Sequence, residues 1–153
     1  MKKGLLFFLV LCLCFTFSGC GKSKAVIEAD NLIASIGEVT LESNGKLQAA
    51  QQAVSNLTDR QKKQLENTAL LDSAQDTYDK LLTAKVEQAI AAIGSVTLDS
   101  GKAIEKARKL YDGCSKEVRS AVSNYATLQE AEKEFSQQKV NNVINLINQI
   151  GTI

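Results

Sequence analysis

The chain contains no proline, no tryptophan and no histidine. Without proline nothing in it forces a helix to break. The abundance of Ala, Gln, Lys, Glu and Leu then favours long helices over turn-rich β-structure. Without histidine, metal sites lose one of their usual ligands. Neither sign of charge dominates: 18 basic residues face 17 acidic ones, which argues neither for nucleic acid nor for an acidic solvating tail. Aromatic residues make up 5% of the chain, few enough that each can be placed individually. Only one long apolar run exists, Leu5 to Phe17, and it is too short to cross a bilayer, which takes about 20 residues.

That run is informative by its setting. Met1-Lys2-Lys3 is a basic start, and Phe17-Ser18-Gly19-Cys20 closes the apolar segment with small residues. This is the layout of a secretory signal. The cysteine directly after Ser18-Gly19 resembles a bacterial lipobox, with Phe17 where leucine is usual. The resemblance implies that residues 1–19 are a cleaved signal peptide and that Cys20 carries diacylglycerol. It places the protein on the extracytoplasmic face of the cell membrane, held there by lipid. Residues 20–24 then form the lipidated cysteine and a short tether, reaching roughly 14 Å when extended. Lys22 and Lys24 lie where each can add about 1 kcal/mol near an anionic surface. Loss of Lys2 and Lys3 with the leader takes the formal net charge from +1 to −1. Of the four cysteines, Cys12 and Cys14 leave with the leader and Cys20 goes to lipid, so Cys114 has no intramolecular partner.

The remainder repeats itself. Ile36-Gly37-Glu38-Val39-Thr40-Leu41-Glu42-Ser43 returns 57 residues later as Ile93-Gly94-Ser95-Val96-Thr97-Leu98-Asp99-Ser100, and Ile150-Gly151-Thr152 begins it again. Without a gap, residues 36–92 and 93–149 agree at 13 of 57 positions. Each copy reads as three helices. Gly94 falls where a left-handed helix end belongs, and Val96 and Leu98 are expected to plug the end of a core. Ser100 and Ser115 are candidate N-caps. Ile104, Ala107, Tyr111 and Cys114 share one helical face, and Thr127 to Glu130 reads as a capping box. The stripe Leu128, Ala131, Phe135, Val143, Ile147 and Ile150 continues without a breaker. The expected fold is all-α: two tandem three-helix units joined by a long shared helix. Residues 25–92 hold the first unit with a leading partial helix, and residues 93–153 hold the second.

Chemistry-bearing constellations are scarce. Gly94 and Gly101-Lys102 echo a phosphate-binding loop, but the glycine spacing is wrong and Ala103 stands where Ser or Thr is needed. Asp72, Asp76 and Asp79 share a helical neighbourhood without the glycine or acidic spacing of a calcium loop. No motif pairs a Ser or Cys with a base. Neither a catalytic residue nor a metal or cofactor is therefore expected. Cys114 aligns with Leu57 and reads as core filling. Tyr78, Phe135 and Tyr111 lie on apolar stripes. Tyr125, in the expected loop, is the one possible ligand contact, since a tyrosine there can stack on sugar or anchor a partner.

The string I-G-x-V-T-L-x-S, followed by N-Y-x-x-L and A-E-x-x-[FY], resembles a helical repeat of unassigned role found in tandem in secreted and surface proteins of Firmicutes. The second copy carries it most fully, through Asn124-Tyr125-Ala126-Thr127-Leu128 and Ala131-Glu132-Lys133-Glu134-Phe135. The first copy departs from it with Thr68 and Gln75. The resemblance implies a fold and a location and transfers no catalytic residue. The reading that results is a membrane-anchored, non-enzymatic interaction or spacer module meeting an envelope protein or cell-wall polymer. The alternative is a ligand-binding lipoprotein that captures wall glycan or a small molecule.

Overall fold

The computed structural model describes residues 21–151; the signal segment and Cys20 lie outside them. The described chain is all-helical: α1 (Lys24–Ala34), α2 (Asn44–Ser55), α3 (Asp59–Lys62), α4 (Thr68–Ala91), α5 (Gly101–Asp112), α6 (Lys116–Ala121) and α7 (Tyr125–Ile150). No strand occurs among the described residues.

The string shared by the two halves makes a turn. Gly37 and Gly94 take φ of 64° and 59°, the left-handed region that costs an L-residue with a Cβ about 1–2 kcal/mol. The Thr40 amide donates to Ser43 Oγ at 2.9 Å, and the Glu42 amide donates to Thr40 Oγ1 at 3.3 Å. The Thr97 and Asp99 amides repeat both bonds with Ser100 and Thr97 at the same distances. Ser100 therefore faces back into the turn and does not cap α5 through its side chain. Val96 packs on the core as expected, but Leu98 is exposed, because the turn carries it outward. Ser115 does cap α6, accepting from the Val118 amide at 3.2 Å.

Helix α4 runs unbroken for 24 residues, about 36 Å, and connects the two halves. Its first turns bury Leu71 and Ala74 in a cluster with Ile33, Ile36, Leu47 and Ala50. A smaller cluster, Val26, Ala29 and Leu57, closes the far end of α1. The last turns of α4 put Val86 and Ile90 into one larger cluster with Ile93, Ile104, Ala107, Cys114, Val118, Val122, Leu128 and Ala131. At roughly 1.5–3 kcal/mol per fully buried large side chain, these clusters dominate the stabilisation.

A polar joint ties each hairpin to the helix before it. Asp30 accepts from the Glu66 and Asn67 amides at 3.0 and 3.2 Å, while Asn67 Nδ2 donates to the Asp30 carbonyl. Fifty-seven residues on, Glu87 accepts from the Ser123 amide at 2.8 Å and its hydroxyl at 2.6 Å, while Asn124 Nδ2 donates to the Glu87 carbonyl. This joint sets the start of α7. Asn124 is the N-cap, and the Thr127 amide donates to its carbonyl at 3.1 Å. The capping box expected at Thr127 is thus absent, since Thr127 already lies in the first turn. A capping box forms instead at Thr58 with Gln61.

Candidate interaction surfaces

Tyr125 sits at the first position of α7 and not in a loop. Its ring stacks on Tyr111 with centroids 4.2 Å apart and planes 12° from parallel. Arg108 Nη1 donates to its hydroxyl at 3.2 Å, and the guanidinium carbon lies 5.4 Å from the ring centre. The same guanidinium grips Glu132 in a two-pronged pair, through Nε at 2.6 Å and Nη2 at 2.5 Å. These bonds, with Glu132 contributing most and Tyr125 next, raise Arg108 above the ordinary arginine pKa. One face of the Tyr125 ring and its hydroxyl are both engaged within the protein.

Cys114 is buried, as expected of core filling, and its thiol donates to the Leu110 carbonyl at 3.0 Å. Burial, chiefly, pushes that thiol's pKa up, so thiolate chemistry is suppressed. Among the described residues no three His, Cys, Asp or Glu side chains cluster as a metal site would require.

A cleft of about 530 Å³ opens between α2, the middle of α4 and the α5–α6 corner. Gln51, Gln75, Tyr78, Asp79 and Glu117 line it above the buried Leu47 and Val118. Gln51 Nε2 donates to Gln75 Oε1, and Gln75 Nε2 donates to Asp79 Oδ1, both at 2.7 Å. The Tyr78 hydroxyl has no hydrogen-bond partner among the described residues. The lining holds two carboxylates and no cation. Its own amide and the Ser115 hydroxyl hold Glu117 below the usual carboxylate pKa, so it stays charged. A neutral polyhydroxylated ligand or a cation suits that lining; an anion does not. Sequence reasoning passed over Tyr78 because its position on an apolar stripe is true as well: the residue packs on the N-terminal core and also lines the cleft.

A shallow hollow on the opposite character of surface is lined by Lys85, Lys102, Lys106 and Lys109, with Glu105 paired to Lys109 at 2.6 Å. Near the tether, Lys22 bridges Asp30 at 2.7 Å and Glu66 at 2.8 Å. It is therefore occupied by protein carboxylates, whereas the sequence suggested an anionic surface.

Among the described residues, most of the exposed large apolar side chains lie on the second half of α7. Val140, Val143, Ile144, Leu146, Ile147 and Ile150 are 48–71% exposed. The apolar stripe, which continues without a breaker as expected, leaves the core after Phe135 and Gln138, whose Nε2 donates to the Val96 carbonyl at 2.8 Å. No helix among the described residues is long and apolar enough to cross a membrane. The fold thus defines an all-helical protein whose distinctive surfaces are a polar cleft and a bare apolar helix face. No family model, curated protein or solved structure matches the chain.

Proposed function

We propose that this chain is a lipid-anchored, extracytoplasmic interaction module of the cell envelope. In this reading it consists of two tandem three-helix units sharing α4, belongs with the helical repeats of surface proteins that its sequence resembles, and catalyses no reaction. The observation that carries the reading is the exposed face of α7, because monomeric soluble proteins rarely leave so continuous an apolar surface uncovered. The pairing of Lys22 with Asp30 and Glu66 adds that the fold begins two residues after Cys20, so the lipid would hold the bundle against the membrane with little slack. The test is crosslinking of the lipidated protein in its native host. A partner recovered reproducibly, and lost when α7 is made polar, supports the module. Recovery of abundant neighbours alone reduces it to a spacer. The variant Cys20→Ala is expected to release a folded helical protein from the membrane; unchanged membrane association overturns the anchor.

A second reading, capture of wall glycan or another small ligand, rests on the cleft and on Tyr78 in particular. A half-buried tyrosine with converging amide and carboxylate groups is suited to stacking on a sugar ring and hydrogen-bonding its hydroxyls. Calorimetry against wall fragments should give heat that Tyr78→Ala abolishes and Tyr125→Ala spares. No heat removes this reading, and loss with Tyr125→Ala returns it to the residue singled out by sequence.

A further inference from the structure

The second half of α7 is a near copy of α1. Residues 140–151 match residues 26–37 at six of twelve positions, including Val26/Val140, Ile33/Ile147 and Ile36/Ile150. In α1 and the turn after it those side chains are 0–2% exposed, buried in the two N-terminal clusters; in α7 they are 52–71% exposed. The same stripe is therefore a core face in one place and a bare face in the other.

What covers the bare face is constrained by position 144. The corresponding residues Asp30 and Glu87 accept the backbone amides of the hairpin they meet. Ile144 has no side-chain acceptor to offer. A further hairpin of the same kind, docked there, would lose the side-chain acceptor that its amides have at the other two joints. The displacement of α1 from a second molecule fails for the same reason, since the Glu66 and Asn67 amides would face Ile144. The stripe is suited to an apolar surface with nothing to satisfy.

Residues 140–150 also contain no charged side chain: the opposite face is Asn141, Asn142, Asn145, Asn148 and Gln149. A helix lying in a membrane surface carries Lys or Arg on its polar face, and a charged partner needs charge to meet. Neither is present. A surface without charge can, however, meet its own copy in either direction without repulsion. Val140, Val143, Ile147 and Ile150 are spaced three, four, three, which is the a/d seam of a coiled coil, and Ile144 and Leu146 broaden it on both sides.

We infer that the second half of α7 is a self-association surface, packing against the same segment of further copies of this chain. β-Branched residues at every a and d position, with apolar flanks, favour more than two strands. Area agrees: the segment is about 16 Å long, and a single pair of such helices falls short of the ~1,200 Å² that stable interfaces bury. A bundle of three or four buries the stripe from two sides. The inference rests on the interaction-module reading and names the partner of its apolar face.

The test is sedimentation velocity on the purified full chain in density-matched detergent, over the micromolar range, beside Ile147→Lys and Val143→Lys. Both positions are exposed, so the variants are expected to keep the wild-type helical circular dichroism. The expected result is a trimer or tetramer for the wild type and at least a ten-fold weaker association for each variant. A monomeric wild type overturns the inference, as does an oligomer that both lysine variants leave intact. If the wild type is monomeric while α7-dependent crosslinking still captures another envelope protein, the inference fails and the interaction module stands.

Discussion

The N-terminal half, through the first turns of α4, and the C-terminal half that follows use the same backbone devices with different side-chain chemistry. At positions 57 residues apart, Gln51 bonds Gln75 in one half and Arg108 bonds Glu132 in the other. Val54 and Thr68 are replaced by Tyr111 and Tyr125, which stack. Apolar burial follows suit: two separate clusters in the N-terminal half, one continuous cluster in the C-terminal half. What the halves share is what the turns and joints require, namely the left-handed glycine, the Thr and Ser hydroxyls that satisfy turn amides, and the asparagine that ties each hairpin to the preceding helix. What they do not share is surface chemistry, and there the differences make the cleft on one side and the aromatic–guanidinium stack on the other.

The sharpest way to break this comparison is to hollow both cores at one equivalent position. Leu71→Ala and Leu128→Ala should each cost about 2–5 kcal/mol. Leu128 is the more fully enclosed, 0% exposed against 7%, and its variant should be the worse of the two in urea denaturation. Equal losses would mean that the continuous cluster confers no extra rigidity on the C-terminal half. Next in size are the paired turns. Gly37→Ala and Gly94→Ala put a Cβ into the left-handed region at a cost of about 1–2 kcal/mol. Nothing stands within 4 Å of either added Cβ, so the cost is conformational alone and the two melting temperatures should fall together.

How legible this was depends on whether the cause was local. The helices, the left-handed Gly94, the Ser115 cap and the buried Cys114 follow from spacing and from single-residue preferences, and sequence reading reaches them. Ser100 misleads because its hydroxyl is taken by the Thr97 amide of the preceding turn, and Thr127 because Asn124, tied to Glu87 across the fold, starts the helix three residues earlier. Tyr78 escapes notice because the cleft lies between elements far apart in the chain. The bare face of α7 was visible as a pattern but not as exposure: apolar periodicity says that a face wants covering, never whether anything covers it. The signal that does reveal it is the match of residues 140–151 to residues 26–37, with isoleucine where the acid belongs.

A smaller effect separates the two polar joints by pH. Burial by itself raises the Asp30 carboxyl, but Lys22 and the Glu66 and Asn67 amides outweigh it and hold the group below the usual aspartate value. Ser123 does the same for the half-buried Glu87. A lowered folded pKa means that the unfolded chain takes up the proton first. The stability these joints contribute is therefore complete above the unfolded values of about 4 and is lost as pH falls through the lower folded ones. Asp30→Asn should flatten the acid limb of the stability curve more than Glu87→Gln, because Asp30 is the buried member and loses an ion pair as well. Coincident acid limbs for wild type and Asp30→Asn would show that the carboxylate charge is not what holds α1 to the hairpin.

The smallest expected effect sharpens the comparison most. Replacing Arg108 and Glu132 together by glutamine converts the charged pair of the C-terminal half into the amide pair that Gln51 and Gln75 form. Both side chains are about a third exposed, 28% and 32%, so water screens their attraction and the coupling should be no more than about 1 kcal/mol. Glu132→Gln alone should cost slightly more than the double variant, because it takes the two-pronged partner from a guanidinium that then keeps only Asp112, at 3.5 Å, as a carboxylate neighbour. A double-mutant cycle by chemical denaturation reads this directly. If the double variant regains most of what Glu132→Gln loses, the two halves are interchangeable at this position and the ion pair is a local variant on a common frame. If it regains nothing, the arginine is required by its stack on Tyr125, and the C-terminal half owes its continuous core to that aromatic platform.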